Sequence, residues 1–220
     1  KYHNLIHFGL TSQDINSLAL TFMTKSCHKE TVKVLWEVLS QIKKLSEKLN
    51  YPIMARTHGQ KAVPTMFSKE INVFVYRLMN ILGYFEDIQF STKFGGAVGS
   101  FSAHRFVYPE IDWNAFAVNF IKSVDKGISL QEVTTQIENY DDMSHLFHLY
   151  VEINTILLDF CKDIWGYISF DYLKLNLNEV GSSKRDSGAS EVGSSTMPQK
   201  INPKKKKKAE GNLGLANNMF

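Results

Sequence analysis

The run TMFSKEINVFVYRLMNILGYF, residues 65–85, decides the fold. Its apolar residues Phe67, Ile71, Phe74, Val75, Leu78, Ile81, Leu82 and Phe85 recur three or four apart. That spacing puts side chains on one face of a helix with 3.6 residues per turn. Strict alternation of apolar and polar residues, the mark of a half-buried strand, hardly occurs anywhere in the chain, so the expected fold class is all-α. A long helix is expected to begin after Pro64 and to turn one broad face to the core.

Upstream, Ile15, Leu18, Phe22 and Met23, then Leu35, Val38, Leu39, Ile42, Leu45 and Leu49, mark a second helix over residues 13–49. Asn50, Tyr51 and Pro52 stop it, because proline disfavours the helical conformation in the residue before it. Downstream, residues 94–102 hold Gly95, Gly96 and Gly99. They are too glycine-rich for a stable helix and lack the flanking strand of a dinucleotide motif, so they are expected to form a loop. A shorter amphipathic segment after Pro109 carries Trp113, Phe116, Phe120 and Val124. A long one starts near Asp141 and carries Leu146, Phe147, Tyr150, Ile153, Leu157, Cys161 and Ile164. After Pro203 a weaker helical pattern resumes with Leu213, Leu215, Ala216 and Met219. Helices this long, with apolar faces this wide, need partners, and some faces are expected to bury against other copies of the chain. The expected architecture is thus a long-helix bundle.

Composition bounds the function. A content of 44% hydrophobic and 21% charged residues in 220 supplies a core and excludes a disordered chain. No uninterrupted apolar run approaches the roughly 20 residues of a membrane-spanning helix. Cys27 and Cys161 match no metal or redox spacing and are expected to be buried or half-buried thiols in a reducing, cytoplasmic setting. The net charge is 25 − 22 = +3, but Lys204 to Lys208 supply five of the cations, and without them the balance is 20 − 22 = −2. No aromatic interleaving or second basic cluster accompanies that run, so nucleic acid is not an expected partner. The chain opens on Lys1 with no charged-then-apolar leader and is expected to be a piece of a longer protein.

Two polar stretches carry the candidate chemistry. The first is Arg56-Thr57-His58-Gly59-Gln60, a turn between two apolar helices. His58 there can exchange a proton near neutrality, since an unperturbed imidazole titrates at about 6.5; a lone histidine can equally serve only to hydrogen-bond the turn. The other histidines, His3, His7, His28, His104, His145 and His148, offer no metal-spaced set and are read as structural. The second stretch lies within residues 176–203, where composition shifts to glycine, serine and charge and a mobile loop is expected. Glu-Val-Gly-Ser-Ser occurs there twice, at residues 179–183 and 191–195, and only the second copy continues into Thr196-Met197-Pro198-Gln199-Lys200-Ile201-Asn202-Pro203. A serine becomes a base only where positive charge and backbone N–H groups stabilise its alkoxide. Lys200 and the helix N-terminus beyond Pro203 can supply that field.

The second loop resembles the signature Ser-Ser-x-Met-Pro-x-Lys-x-Asn of the fumarase and aspartase superfamily. Three further strings, His7-Phe8-Gly9-Leu10-Thr11-Ser12-Gln13-Asp14-Ile15, the turn at residues 56–60 continuing to Lys69-Glu70, and Thr134-Thr135-Gln136-Ile137-Glu138, resemble its adenylosuccinate lyase branch and stand in that family's order. The resemblance implies a β-elimination that releases fumarate, from adenylosuccinate to give AMP and from the succinyl-carboxamide ribotide earlier in purine synthesis. It implies His58 as the general acid for the departing nitrogen and Ser194 as the base beside a carboxylate. Lys200 and Asn202 would stabilise the doubly charged carbanion, and Thr11, Ser12, Thr57 and Gln136 would contact the substrate. It implies no metal and no organic cofactor, and a homotetramer whose active sites draw on three subunits.

The chain would then be the central helical domain, residues 1–220, without the family's terminal domains. Gln199, Lys61 and the lysine run depart from the family's usual residues. The string Met-Pro-Gln-Lys, here residues 197–200, also occurs in argininosuccinate lyase, which is one alternative; a helical scaffold without activity is another.

Overall fold

The computed structural model of the protein describes residues 2–174 and 204–220. Their order is α1 (Ser12–Lys48), β1 (Pro52–Thr57), β2 (Gln60–Met66), α2 (Phe67–Glu86), β3 (Ser91–Thr92), α3 (Ser102–Val107), α4 (Trp113–Val124), β4 (Ser129–Leu130), α5 (Asp141–Ser169) and α6 (Lys204–Met219). The all-α expectation holds: among the described residues the strands are short and form no closed sheet. The chain divides into two compact units, Lys1–Val38 with Leu82–Phe147, and Leu39–Ile81 with His148–Phe220. Helices α1, α2 and α5 each give one part to each unit.

All eight apolar positions expected to face inward along α2 are buried, as are Leu146, Leu149, Ile153, Ile156 and Ile164 of α5. The second half of α1 also follows its pattern, with Leu35, Leu39, Ile42 and Leu49 inside. The first half departs from it. Ile15, Phe22 and Met23 are exposed, and the inward positions are Asp14, Ser17, Thr21 and His28 beside Leu18. The reason is hydrogen bonding to the adjoining segment. Ser17 Oγ donates to the Lys93 carbonyl and Thr21 Oγ1 to the Ser91 carbonyl, each at 3.1 Å, while Thr92 Oγ1 donates to Ser17 Oγ. Strand β3 pairs in parallel with β4 over only two residues, so hydroxyls of α1 satisfy the backbone that a wider sheet would satisfy with a third strand.

In the second unit the chain between α1 and α2 is an antiparallel hairpin rather than a bare turn. Its register runs from Pro52 opposite Met66 to Thr57 opposite Gln60, with a one-residue shift between Met54 and Arg56. Helix α6 begins at the lysine run, and Asn154 of α5 donates to Asn217 Oδ1 at 2.8 Å. Of the two cysteines, Cys161 is half-buried as expected, but Cys27 is exposed. Its place on α1, one residue before buried His28, turns it to the outer side of the helix. No helix among the described residues is long and apolar enough to cross a membrane.

Candidate active site

His58 and Gly59 are the two loop residues of the β1–β2 hairpin, with φ of 49° and 74°. Positive φ at both central positions is what the two-residue type I′ turn requires, and its twist matches that of the flanking strands. Gly59 adopts it freely. His58 is strained there, and a non-glycine residue held in the left-handed region marks a position that the surrounding structure determines. That determinant is Arg56. Its Nη1 donates to the Gly59 carbonyl at 3.1 Å, and its guanidinium lies 4.4 Å from the Phe170 ring centre. Tyr172 accepts from Arg56 Nε and donates to the Met54 carbonyl, so the segment after α5 grips the base of the hairpin. Arg56 is therefore spent on the fold, while Thr57 and His58 stand exposed at the tip.

In the other unit, Thr11 precedes α1 and Asp14 is the third helical residue. Asp14 Oδ2 accepts the Thr11 backbone N–H at 2.7 Å, half of a capping box, and an acid in the first turn suits the helix dipole. Asp14 Oδ1 accepts from Lys93 Nζ at 2.7 Å and from the backbone N–H groups of Gly95 at 2.8 Å and Gly96 at 3.2 Å. Neither side chain of this ion pair has any exposed surface. Burial alone would raise the Asp14 carboxyl, but the Lys93, Thr11 and Gly95 donors outweigh it and hold the group below the usual carboxylate range. Removing one partner of such a pair leaves a bare buried charge, a loss of about 3–5 kcal/mol.

The glycine loop closes on the third predicted string. Gly99 has φ of 74°, and a Cβ built on it would lie 2.1 Å from the Thr134 carbonyl oxygen. With Thr134 so placed, Gln136 Nε2 comes within 3.5 Å of Thr11 Oγ1, and Tyr140 donates to Gln13 Oε1 at 3.1 Å. His104, nearly fully buried, packs against Phe8, Phe101 and Trp113, and a Cβ on Gly9 would strike its ring at 2.4 Å. Burial pushes the His104 imidazole below the usual histidine range against the opposing pull of Asp14 and the Phe8 backbone.

The structure thus brings together Thr11 and Gln136, with Ser12 exposed beside them, in one unit, and holds Thr57 and His58 together in the other. Ser194, Lys200 and Asn202 lie outside the described residues, as does the whole of the 176–203 loop. Among the described residues no group of three or more His, Cys, Asp or Glu side chains is placed to hold a metal ion. Sequence reasoning missed the parts played by Asp14, Lys93 and Gly99, whereas His104 is structural, as expected. The signal for Asp14 was available in Thr11 three residues before it, the spacing of a capping box. No local pattern marked Lys93 as its partner.

The lyase family model matches residues 1–214. The chain belongs to the lyase family, that of the fumarases and aspartases. This lyase-family chain is 42% identical to the adenylosuccinate lyase of Dictyostelium discoideum over 98% of its own length and 45% of that protein's. To the adenylosuccinate lyase of Escherichia coli K12 it is 39% identical over 96% of its length and 44% of that protein's. It therefore spans somewhat under half the length of these curated relatives. Among solved structures it resembles 3-carboxy-cis,cis-muconate lactonizing enzyme from Pseudomonas putida, with a TM-score of 0.68 over 97% of this chain and 44% of that one. At 19% identity that likeness speaks for the fold alone.

Proposed function

We propose that this lyase-family chain is the central helical part of an enzyme that eliminates fumarate from adenylosuccinate, giving AMP, and from the succinyl-carboxamide ribotide of purine synthesis. The observation that carries the proposal is the identity of about 40% to adenylosuccinate lyases along nearly the whole chain. In this reading Ser194 takes the proton from the carbon beside a substrate carboxylate. The electron pair is held in that carboxylate as a doubly charged form, which Lys200 and Asn202 stabilise. The carbon–nitrogen bond then breaks, the electron pair of the carbanion becomes the fumarate double bond, and His58 gives its proton to the leaving nitrogen. Thr11, Ser12, Thr57 and Gln136 bind the substrate's oxygens, and the chemistry uses no metal or cofactor.

The same reading makes the protein a cytoplasmic homotetramer with active sites shared between subunits and no nucleic-acid or membrane partner. Two features support the sharing. His58 is exposed at a hairpin tip, and α2 carries Val73, Tyr76 and Met79 as an exposed apolar stripe beside its buried face. The test is fumarate release by the protein that carries this chain, offered adenylosuccinate and argininosuccinate in parallel. Release from adenylosuccinate alone, abolished by Ser194→Ala, is the expected result. Release from argininosuccinate alone overturns the substrate, and release from neither favours a scaffold without activity.

A further inference from the structure

Resting on that elimination reading, we infer that Asp14 and Lys93 are positioning residues for the part of the site that receives the substrate's carboxylates. One carboxylate takes four donors from three places in the chain: the Thr11 N–H, the Gly95 and Gly96 N–H groups, and Lys93 Nζ. Lys93 Nζ also donates to the Gly96 carbonyl at 2.6 Å, so the N–H and the carbonyl of Gly96 are both held by the pair. Three residues on, Gly99 meets the Thr134 carbonyl so closely that no side chain fits between them. The segment with Gln136 is thereby seated against the loop that Asp14 anchors, and Gln136 Nε2 reaches Thr11 Oγ1. The Thr11 hydroxyl and the Gln136 amide take their places from a charge pair that touches neither.

An apolar core could supply the stability, since well-packed hydrophobic groups replace buried ion pairs at little or no loss. What they cannot supply is direction. A carboxylate accepts several N–H groups along fixed lines, and a 1 Å error in a positioning group is enough to degrade binding or rate. Electroneutrality matters as well. Asp14 lies directly beneath the Thr11 N–H, and without Lys93 its bare charge would repel the carboxylates of the substrate.

The experiment compares Lys93→Met and the double variant Asp14→Asn, Lys93→Met with the parent protein. It reads KM and kcat for fumarate release from adenylosuccinate, the thermal midpoint, and hydrogen exchange in peptides covering residues 7–13 and 94–101. Lys93→Met is expected to raise KM by about tenfold or more while kcat stays within about threefold, and to speed exchange at Thr11, Gly95 and Gly96. The double variant, with no bare charge, is expected to regain most of the thermal midpoint and to keep the raised KM. A double variant with the parent's KM overturns the inference, because the pair would then be structural only. So does unchanged exchange at those three amides in Lys93→Met. Should Lys93→Met not fold, the double variant decides. A parent that releases no fumarate defeats the functional reading by itself, and the exchange measurement, which needs no substrate, still decides whether the pair holds these amides.

Discussion

The two places that hold candidate site residues are built in opposite ways. Around Thr11 the backbone is tied inward, its N–H donating to one member of an ion pair with no exposed surface, beside a glycine loop packed too closely for a side chain. His58 stands at the end of a two-stranded ribbon, gripped at its base by Arg56 and Tyr172, and among the described residues nothing hydrogen-bonds its imidazole. A group that must hold charged oxygens needs a fixed position, and the core supplies one. A group that must hand over a proton needs to reach another surface, and a ribbon supplies reach at the expense of local stability.

The largest expected effect breaks the comparison at its exposed end. His58→Leu should lower turnover by about 10²–10⁴-fold, the range that general acid catalysis contributes, and leave the thermal midpoint within a degree or two of the parent. A variant with normal turnover and normal stability would remove His58 from the chemistry. Next comes the buried end. Gly99→Ala places a methyl group against the Thr134 carbonyl at a φ of 74°, and should lose about 2–4 kcal/mol in urea unfolding and weaken substrate binding with it. Gly59→Ala sharpens the contrast. Gly59 has the same φ of 74° but open space where the methyl would go, so only the conformational penalty of about 1–2 kcal/mol is expected. Equal losses at the two glycines would mean that the Thr134 contact does not matter.

The smallest effect concerns pH. Burial lowers the imidazoles of both His28 and His104, opposed by Glu86 for the first and by Asp14 and the Phe8 backbone for the second. Below about pH 6.5 the unfolded chain takes up protons that the folded one refuses, so their contribution is complete above that pH and is lost as pH falls beneath it. The slope is at most about 1.4 kcal/mol per pH unit for each histidine. Urea midpoints at pH 7.5 and 5.5 should differ accordingly, and the difference should shrink in His28→Gln.

Much of this was legible in the sequence, and the part that was not has physical reasons. The core face of α2 could be phased from eight residues because apolar burial repeats with the helix. The first half of α1 could not, since its inward positions are chosen by hydrogen bonds to β3 and its exposed positions are apolar. The hairpin escaped because its strands are mostly exposed and show no alternation; the His58-Gly59 pair between short strands was the available signal. His58 was a candidate from its polar turn alone, whereas Thr11 and Gln136 were singled out by motif resemblance. The Asp14–Lys93 pair, 79 residues apart, was beyond any spacing rule, because only the folded loop brings the two together.

The hairpin's prolines have a further consequence. A lone two-stranded ribbon presents open edges, and an open edge is a template on which another copy can add a strand. Pro64, opposite Met54 in the ribbon, has no N–H to offer such a strand, and the adjacent register shift breaks the straight run of acceptors that an incoming strand would need. Both features discourage another copy from adding a strand to a ribbon whose strands are mostly exposed among the described residues, so the histidine is carried outward on an edge that is a poor template for fibre growth.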